Sequence, residues 1–146
     1  MPADLAPHCN PAQHVSMMLM QGTGDTFMPA QGGSPKGEGG TIYSDRETFA
    51  FWAKTAQCQG SAKMQTLSNY HLFSAFRPRI LTPTPITFYH YENCGGNEVG
   101  LLEIADGGHM WPGSYKNFGA LFGTGKVSDF PVNKAIIEFF LRHAKE

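Results

Sequence analysis

Two glycine-flanked loops constrain the fold of this 146-residue chain most, because each follows a strand-like run. The first loop places Asp25 after an apolar stretch at 15–20, and the second places His109 after a β-rich run at 99–104. The stretch at 15–20 is typical of a central parallel strand that is buried on both faces. In an open α/β sheet, sites form beyond the carboxyl ends of the strands. The sequence therefore predicts an α/β fold with an acid and an imidazole at one sheet edge.

A capping box marks the start of the first helix. Ser44 and Glu47 have the spacing at which each side chain satisfies an orphan amide of the other. Apolar residues then recur at spacings of three and four, and Gly60 follows, as is common after a helix end. These signals predict a helix over about 45–57.

The second half of the chain has clearer strands than the middle. Two β-rich runs at 86–91 and 99–104 are joined by a glycine-containing loop, so we expect a hairpin. Residues 61–84 show no clean period and contain prolines, and no structure is assigned there. Pro131 opens a terminal helix, which should lie on a sheet face through an apolar stripe. The stripe consists of Val132, Ala135, Ile136, Phe139 and Phe140.

Composition limits the classes of function. The formal net charge of −1 offers no basic field for nucleic acid. The apolar stretch near the start is too short for a transmembrane span, and no secretory signal pattern precedes it. No composition shift divides the chain, so residues 1–146 are predicted to form a single domain. Neither nucleic acid nor a membrane is an expected partner.

Several motifs occur in one order along the chain: Gly22-Thr23-Gly24-Asp25, Met28-Pro29-Ala30-Gln31-Gly32-Gly33, Phe51-Trp52, Cys58, Cys94, Glu98-Val99 and Gly107-Gly108-His109-Met110-Trp111-Pro112-Gly113. Together they resemble the C-terminal half of secreted serine esterases. That family includes polyhydroxybutyrate depolymerases and the feruloyl and acetylxylan esterases. The resemblance extends from Cys9 to the last helix and implies an α/β-hydrolase fold, of which this chain would be the C-terminal portion, a partial sheet with flanking helices.

The resemblance implies a catalytic role for two residues. Asp25 would be the acid and His109 the general base of a Ser-His-Asp triad, in the chain order of α/β-hydrolases. The complete enzyme would hydrolyse polyester or plant cell-wall esters. The G-x-S-x-G serine and the oxyanion-hole loop of the family have no counterpart here, and Ser34 lacks the closing glycine of that motif. We therefore expect the chain alone to be inactive.

The cysteines have two interpretations. The resemblance implies a bridge between Cys58 and Cys94, which would contribute roughly 3 to 4 kcal/mol in the chain-entropy model. An extracellular or periplasmic location would follow. The alternative is a pair of buried free thiols in a cytosolic protein. Cys9 is left over, which is consistent with a partner outside this sequence.

The aromatic loop after His109 also has two interpretations. Trp111 and Pro112 are candidate substrate-binding residues, and further aromatic residues could line a groove for an aromatic or polymeric acyl group. A loop that packs on its own aromatic side chains explains them equally well. The aromatic residues concerned are Trp111, Tyr115, Phe118 and Phe122.

The sequence contains no complete motif for binding a cofactor or a metal ion. Residues 123–126 begin like a phosphate-binding loop, but Val127 stands where that motif needs Ser or Thr. The other histidines share no metal-ligand spacing, so neither a cofactor nor a metal is predicted.

A second hypothesis treats the chain as a non-catalytic module. A central strand at 15–20 needs neighbours on both edges, and exposed edges invite pairing with another chain. The module would form a homo-oligomer, pair with a partner chain that completes the sheet, or bind a polymer through its aromatic loop.

Overall fold

In the part of the chain that the structure describes, a mixed five-stranded sheet has helices packed against it. The computed structural model describes residues 1–37, 39–74, 77–114 and 126–144, without the side chains at 68, 69, 73, 74 and 77–81. Within these residues the fold is of the mixed α/β class, with the strand order β1-β4-β3-β2-β5. The strands are β1 (Met17–Gly22), β2 (Lys63–Ser74), β3 (Arg77–Cys94), β4 (Asn97–Ile104) and β5 (Val127–Ser128), and the helices are α1 (Asp45–Thr55) and α2 (Val132–Arg142).

β1 lies at an edge of the described sheet and not at its centre. It pairs in parallel with β4 and has no second neighbour among the described strands. Met17 and Leu19 pack on the α1 side of the sheet, whereas Met18 and Met20 pack on the α2 side. Both faces of β1 are therefore covered, but its apolar side chains are only partly buried, and Val15 lies before the strand and is 43% exposed. The prediction of a central position is wrong. An apolar run in the sequence indicates that both faces of a strand are covered by other residues. It does not indicate whether the strand has a neighbouring strand at each of its edges.

The region at 61–84, which had no assignment, contributes to a long antiparallel hairpin of β2 and β3. Pro83 lies opposite His71 of β2, but β4 pairs with β3 only from Ile86 onward. At Pro83 the strand has one neighbour, and a missing amide donor is tolerated where one edge is open. The predicted hairpin of 86–91 with 99–104 is present as the antiparallel pair of β3 and β4.

α1 begins as its sequence predicts and covers one face of the sheet. The side chain of Ser44 accepts a hydrogen bond from the Glu47 amide, and the Glu47 carboxylate accepts one from the Ser44 amide. The helix ends at Thr55, two residues before the predicted end. Its inner face packs on β1 and β4 in a first core, whose buried residues are Phe49, Ala53, Ala56, Cys94, Val99 and Leu101.

α2 covers the other face of the sheet but does not bury the whole predicted stripe. Phe139 is buried, whereas Phe140 is 65% exposed, so its predicted place on the sheet face is wrong. Consecutive helical residues point about 100° apart, because a turn contains 3.6 residues. His143, four residues after Phe139, takes the next inner position, with ring centroids 4.7 Å apart. The buried residues of this second core are Leu72, Ile86, Leu102, Ile104, Phe130 and Val132.

No helix among the described residues has the length and the apolar character that crossing a membrane requires.

Candidate active site

The two glycine-flanked loops pack directly on each other through their main chains. The Thr23 amide donates to the Ile104 carbonyl at 3.0 Å, and the Gly24 amide donates to the Gly107 carbonyl at 2.8 Å. A Cβ atom on Gly22 would overlap the carbonyl group of Gly107. Glycine is therefore required where the two loops meet, since any side chain would separate them.

The Asp25 carboxylate is buried and held by its own loop. Its Oδ1 accepts hydrogen bonds from the amides of Phe27 at 2.8 Å and Met28 at 2.9 Å. Its Oδ2 accepts a longer bond of 3.4 Å from Gln21 Nε2. The side chain is only 4% exposed. The backbone amides leave Oδ2 directed at the second loop.

His109 provides the partner of that oxygen. Its Nδ1 lies 2.8 Å from Asp25 Oδ2, and its side chain is 45% exposed. When Nδ1–H donates to the carboxylate, Nε2 carries the free lone pair. Nε2 lies on the side of the ring away from this contact. An imidazole in this state can accept a proton from a substrate or a nucleophile, and the carboxylate can stabilise the resulting imidazolium.

A cavity of about 460 Å³ lies beside this pair. Its apolar wall comes from β1, β4, α2 and the loop that carries His109, while Lys126 and Ser128 add polar groups. Thioether side chains adapt to irregular shapes, so such a wall suits apolar groups of variable form. The apolar wall comprises Met18, Met20, Ile104, Met110, Trp111, Pro112 and Ile136.

Trp111 and Pro112 both line this cavity, as their candidate role requires. The Trp111 side chain is largely exposed, and its Nε1 donates to Asn133 Oδ1 of α2 at 3.0 Å. This hydrogen bond gives the indole a defined place at the rim. The remaining aromatic residues of the proposed groove, Tyr115, Phe118 and Phe122, lie outside the described residues.

Sequence reasoning missed two polar residues that support the site. Gln21 Nε2 donates to the Met28 carbonyl at 2.6 Å and thereby closes the loop around Asp25. The sequence pattern that could have indicated Gln21 is a single amide side chain directly after the apolar stretch at 15–20. Asn133, which holds Trp111, had no signal of this kind, because its partner is 22 residues away in the sequence.

A second carboxyl group, that of Asp45, interacts electrostatically with Asp25. Burial, and then the neighbouring charge of Glu103, raise the pKa of Asp45 to about 7, and the Asp25 carboxylate contributes in the same direction. Glu103 is itself paired with Arg46 through contacts of 2.5 and 2.7 Å. Asp45 therefore changes its charge near neutral pH at a place where the field reaches Asp25.

The structure joins Cys58 and Cys94 in a disulfide bond, as the family resemblance implies. The bridge connects the chain after α1 to the end of β3 and closes a loop that contains β2. Cys9 is a free, half-buried thiol. Disulfide bonds persist mainly in oxidising compartments.

No protein-family model, no curated protein and no solved structure matches this chain.

Proposed function

We propose that this chain supplies the general base and its orienting carboxylate to a serine carboxylic-ester hydrolase of an oxidising, extracytoplasmic compartment. The observation that carries the proposal is the 2.8 Å contact of His109 Nδ1 with the buried Asp25 carboxylate. The nucleophilic serine comes from polypeptide outside these 146 residues, in an α/β-hydrolase arrangement. Asp25 then precedes His109 in the order of that fold.

The proposed reaction uses Nε2 of His109 twice. The serine oxygen attacks the ester carbonyl while Nε2 accepts the hydroxyl proton, and the imidazolium then gives this proton to the departing alkoxide. Water next attacks the acyl-enzyme, again losing a proton to Nε2, and the acid is released as the serine regains its proton. Asp25 remains ionised throughout and keeps the proton on Nδ1 in the resting imidazole.

The cavity supports an ester with an apolar part. Met, Ile and Trp side chains form its apolar wall, so burial of hydrocarbon contributes to binding there, and Lys126 and Ser128 add polar groups. Polyhydroxybutyrate and feruloyl or acetyl esters of plant cell walls are the substrates that the sequence resemblance suggests.

The decisive test uses the natural protein. Variants are introduced into the gene at its natural locus, and the protein is purified under native conditions with whatever polypeptide accompanies these residues. We expect His109→Ala to lower kcat/KM for p-nitrophenyl butyrate by more than about 10³-fold, as loss of a triad base does. His71→Ala, which removes a histidine of another region, serves as the control and should retain activity.

Two results would contradict the proposal. One is hydrolysis that persists in His109→Ala at the natural level. The other is a natural protein that neither hydrolyses esters nor reacts covalently with a fluorophosphonate probe, which labels activated serines.

A second candidate function is a non-catalytic module that pairs with another chain. The observation that favours it is β1, which lies at the edge of the described sheet and contains neither proline nor a charged residue. Proteins commonly protect open edges with such residues. Sedimentation equilibrium should then show a dimer or a complex, and a monomer at all concentrations would exclude this function.

A further inference from the structure

Proton transfer at His109 depends on the direction in which Nε2 points. The hydrogen bond between Nδ1 and Asp25 fixes a single atom of the ring. The torsion that turns an imidazole has a broad energy minimum, and almost half of this side chain is exposed. A second contact is needed to define the plane of the ring and hence the direction of Nε2.

Phe27 makes that second contact. Its ring is stacked on the imidazole, with centroids 5.5 Å apart and planes inclined by 23°. This is the offset-stacked arrangement that aromatic rings favour. The main chain of the same residue donates to Asp25 Oδ1 at 2.8 Å. One residue thus contacts both members of the pair, the acid through its amide and the base through its ring.

Phe27 is itself held in place by the loop that follows. The Lys36 amide donates to the Phe27 carbonyl at 2.9 Å. The Lys36 ammonium also lies over the Phe27 ring, 4.8 Å from its centroid. These two contacts restrain both the main chain and the ring of Phe27.

We propose, on the basis of the proposed function, that Phe27 is a positioning residue for His109. Its ring holds the plane of the imidazole, and its π face attracts the imidazolium that forms during proton transfer. An aromatic face within about 6 Å of a cation is attractive. Because the imidazolium forms after substrate binding, the contact acts on kcat rather than on KM.

The test compares Phe27→Leu with Phe27→Tyr in the natural protein. Leucine leaves the amide bond to Asp25 in place and removes only the flat ring, whereas tyrosine keeps the ring. We expect Phe27→Leu to lower kcat between about 10-fold and 100-fold, the range for a misdirected catalytic group, with KM little changed. Phe27→Tyr should restore kcat. Phe88→Leu, which removes a ring stacked on His90 elsewhere in the sheet, is the matched control and should retain kcat.

The outcomes separate this inference from the proposed function. If Phe27→Leu keeps the natural kcat while His109→Ala abolishes hydrolysis, the positioning role is overturned and the esterase proposal stands. If hydrolysis does not depend on His109, the esterase proposal fails, and the Nδ1–H proton resonance of His109 decides the positioning role. Loss of that resonance in Phe27→Leu, with recovery in Phe27→Tyr, supports the role, and an unchanged resonance in Phe27→Leu overturns it.

Discussion

Two histidine–aspartate pairs in the described part of the chain have the same chemistry and different surroundings. In the first, His109 Nδ1 and Asp25 Oδ2 are 2.8 Å apart, and the carboxylate is 4% exposed. In the second, His71 Nδ1 and Asp129 Oδ2 are 3.3 Å apart, and the carboxylate is 26% exposed. The first pair lines the cavity, and neither member of the second is among the residues that line it.

The main-chain partners of the two carboxylates explain the difference. Asp25 is held by amides of its own glycine-rich loop, so its contact with His109 joins two loops at the carboxyl ends of two strands. Asp129 accepts from the His71 amide at 2.7 Å, and its own amide donates to the His71 carbonyl at 3.0 Å. The second pair therefore extends the ladder of β2 with β5. A histidine–aspartate contact indicates a base only where the main chain leaves the imidazole beside a cavity.

The largest expected effect is on kcat, which should depend on Asp25 and not on Asp129. Asp25→Asn should lower kcat of the natural protein by about 10⁴-fold, because an amide in this position stabilises the wrong imidazole tautomer. Asp129→Asn should retain kcat and lower the free energy of unfolding by about 1 kcal/mol, the usual contribution of one hydrogen bond. Steady-state kinetics and urea unfolding of both variants test this contrast. Equal losses of activity would mean that the two pairs do not differ in role.

The next largest effect concerns the disulfide bond, whose closed loop contains His71 but neither Asp25 nor His109. Replacing both cysteines by serine should lower the free energy of unfolding by roughly 3 to 4 kcal/mol. Amide exchange should accelerate more at His71 than at the loop residues Phe27 and Met28. Unfolding curves and hydrogen exchange of the double variant provide the measurement. Equal acceleration of amide exchange at His71, Phe27 and Met28 would show that the disulfide bond does not stabilise the surroundings of His71 more than those of Asp25.

A smaller effect concerns Asp45, which interacts electrostatically with Asp25 of the first pair. The raised pKa of Asp45 has burial as its main cause, and Glu103 and Asp25 raise it further, whereas the N-terminal amine and Arg46 lower it. The folded chain therefore holds this proton up to about pH 7, while the unfolded group loses it near 3.8. The stability that this group contributes is complete below the unfolded value and is lost as the pH rises through the folded one.

The corresponding measurement compares Asp45→Asn with the natural residue. The variant lacks the charge, so its free energy of unfolding relative to the natural chain should be higher at about pH 8 than at about pH 5. Urea unfolding at both pH values gives this difference directly. A difference that does not change with pH would contradict the assignment to Asp45.

The smallest effect concerns the rim of the cavity beside the first pair. Asn133→Ala removes the acceptor of the Trp111 indole and should cost no more than about 0.5 to 1.5 kcal/mol of stability. The freed indole should raise KM and leave kcat unchanged, since it lies beside the cavity and not at the reacting atoms. Fluorescence in a Trp52→Phe background isolates Trp111 and should show greater quenching by iodide. Unchanged quenching would show that Asn133 does not restrain the ring.

Local patterns in the sequence determined the elements around the site. The capping box at Ser44 starts α1, and the apolar run of β1 supplies both faces of the sheet. The glycines around Asp25 and His109 predicted two close loops at strand ends. These features depend on neighbours within a few residues, and the sequence contains those neighbours directly.

The tertiary structure alone decided the arrangement of these elements. It placed β1 at a sheet edge, exposed Phe140, formed the hairpin of β2 and β3, and brought Asp129 to His71. Each of these features depends on residues that are far apart in the sequence, and no local pattern records such pairing. The stack of Phe27 on His109 is of the same kind. The local spacing of apolar and polar residues determined which faces are buried, and long-range packing determined which side chains meet.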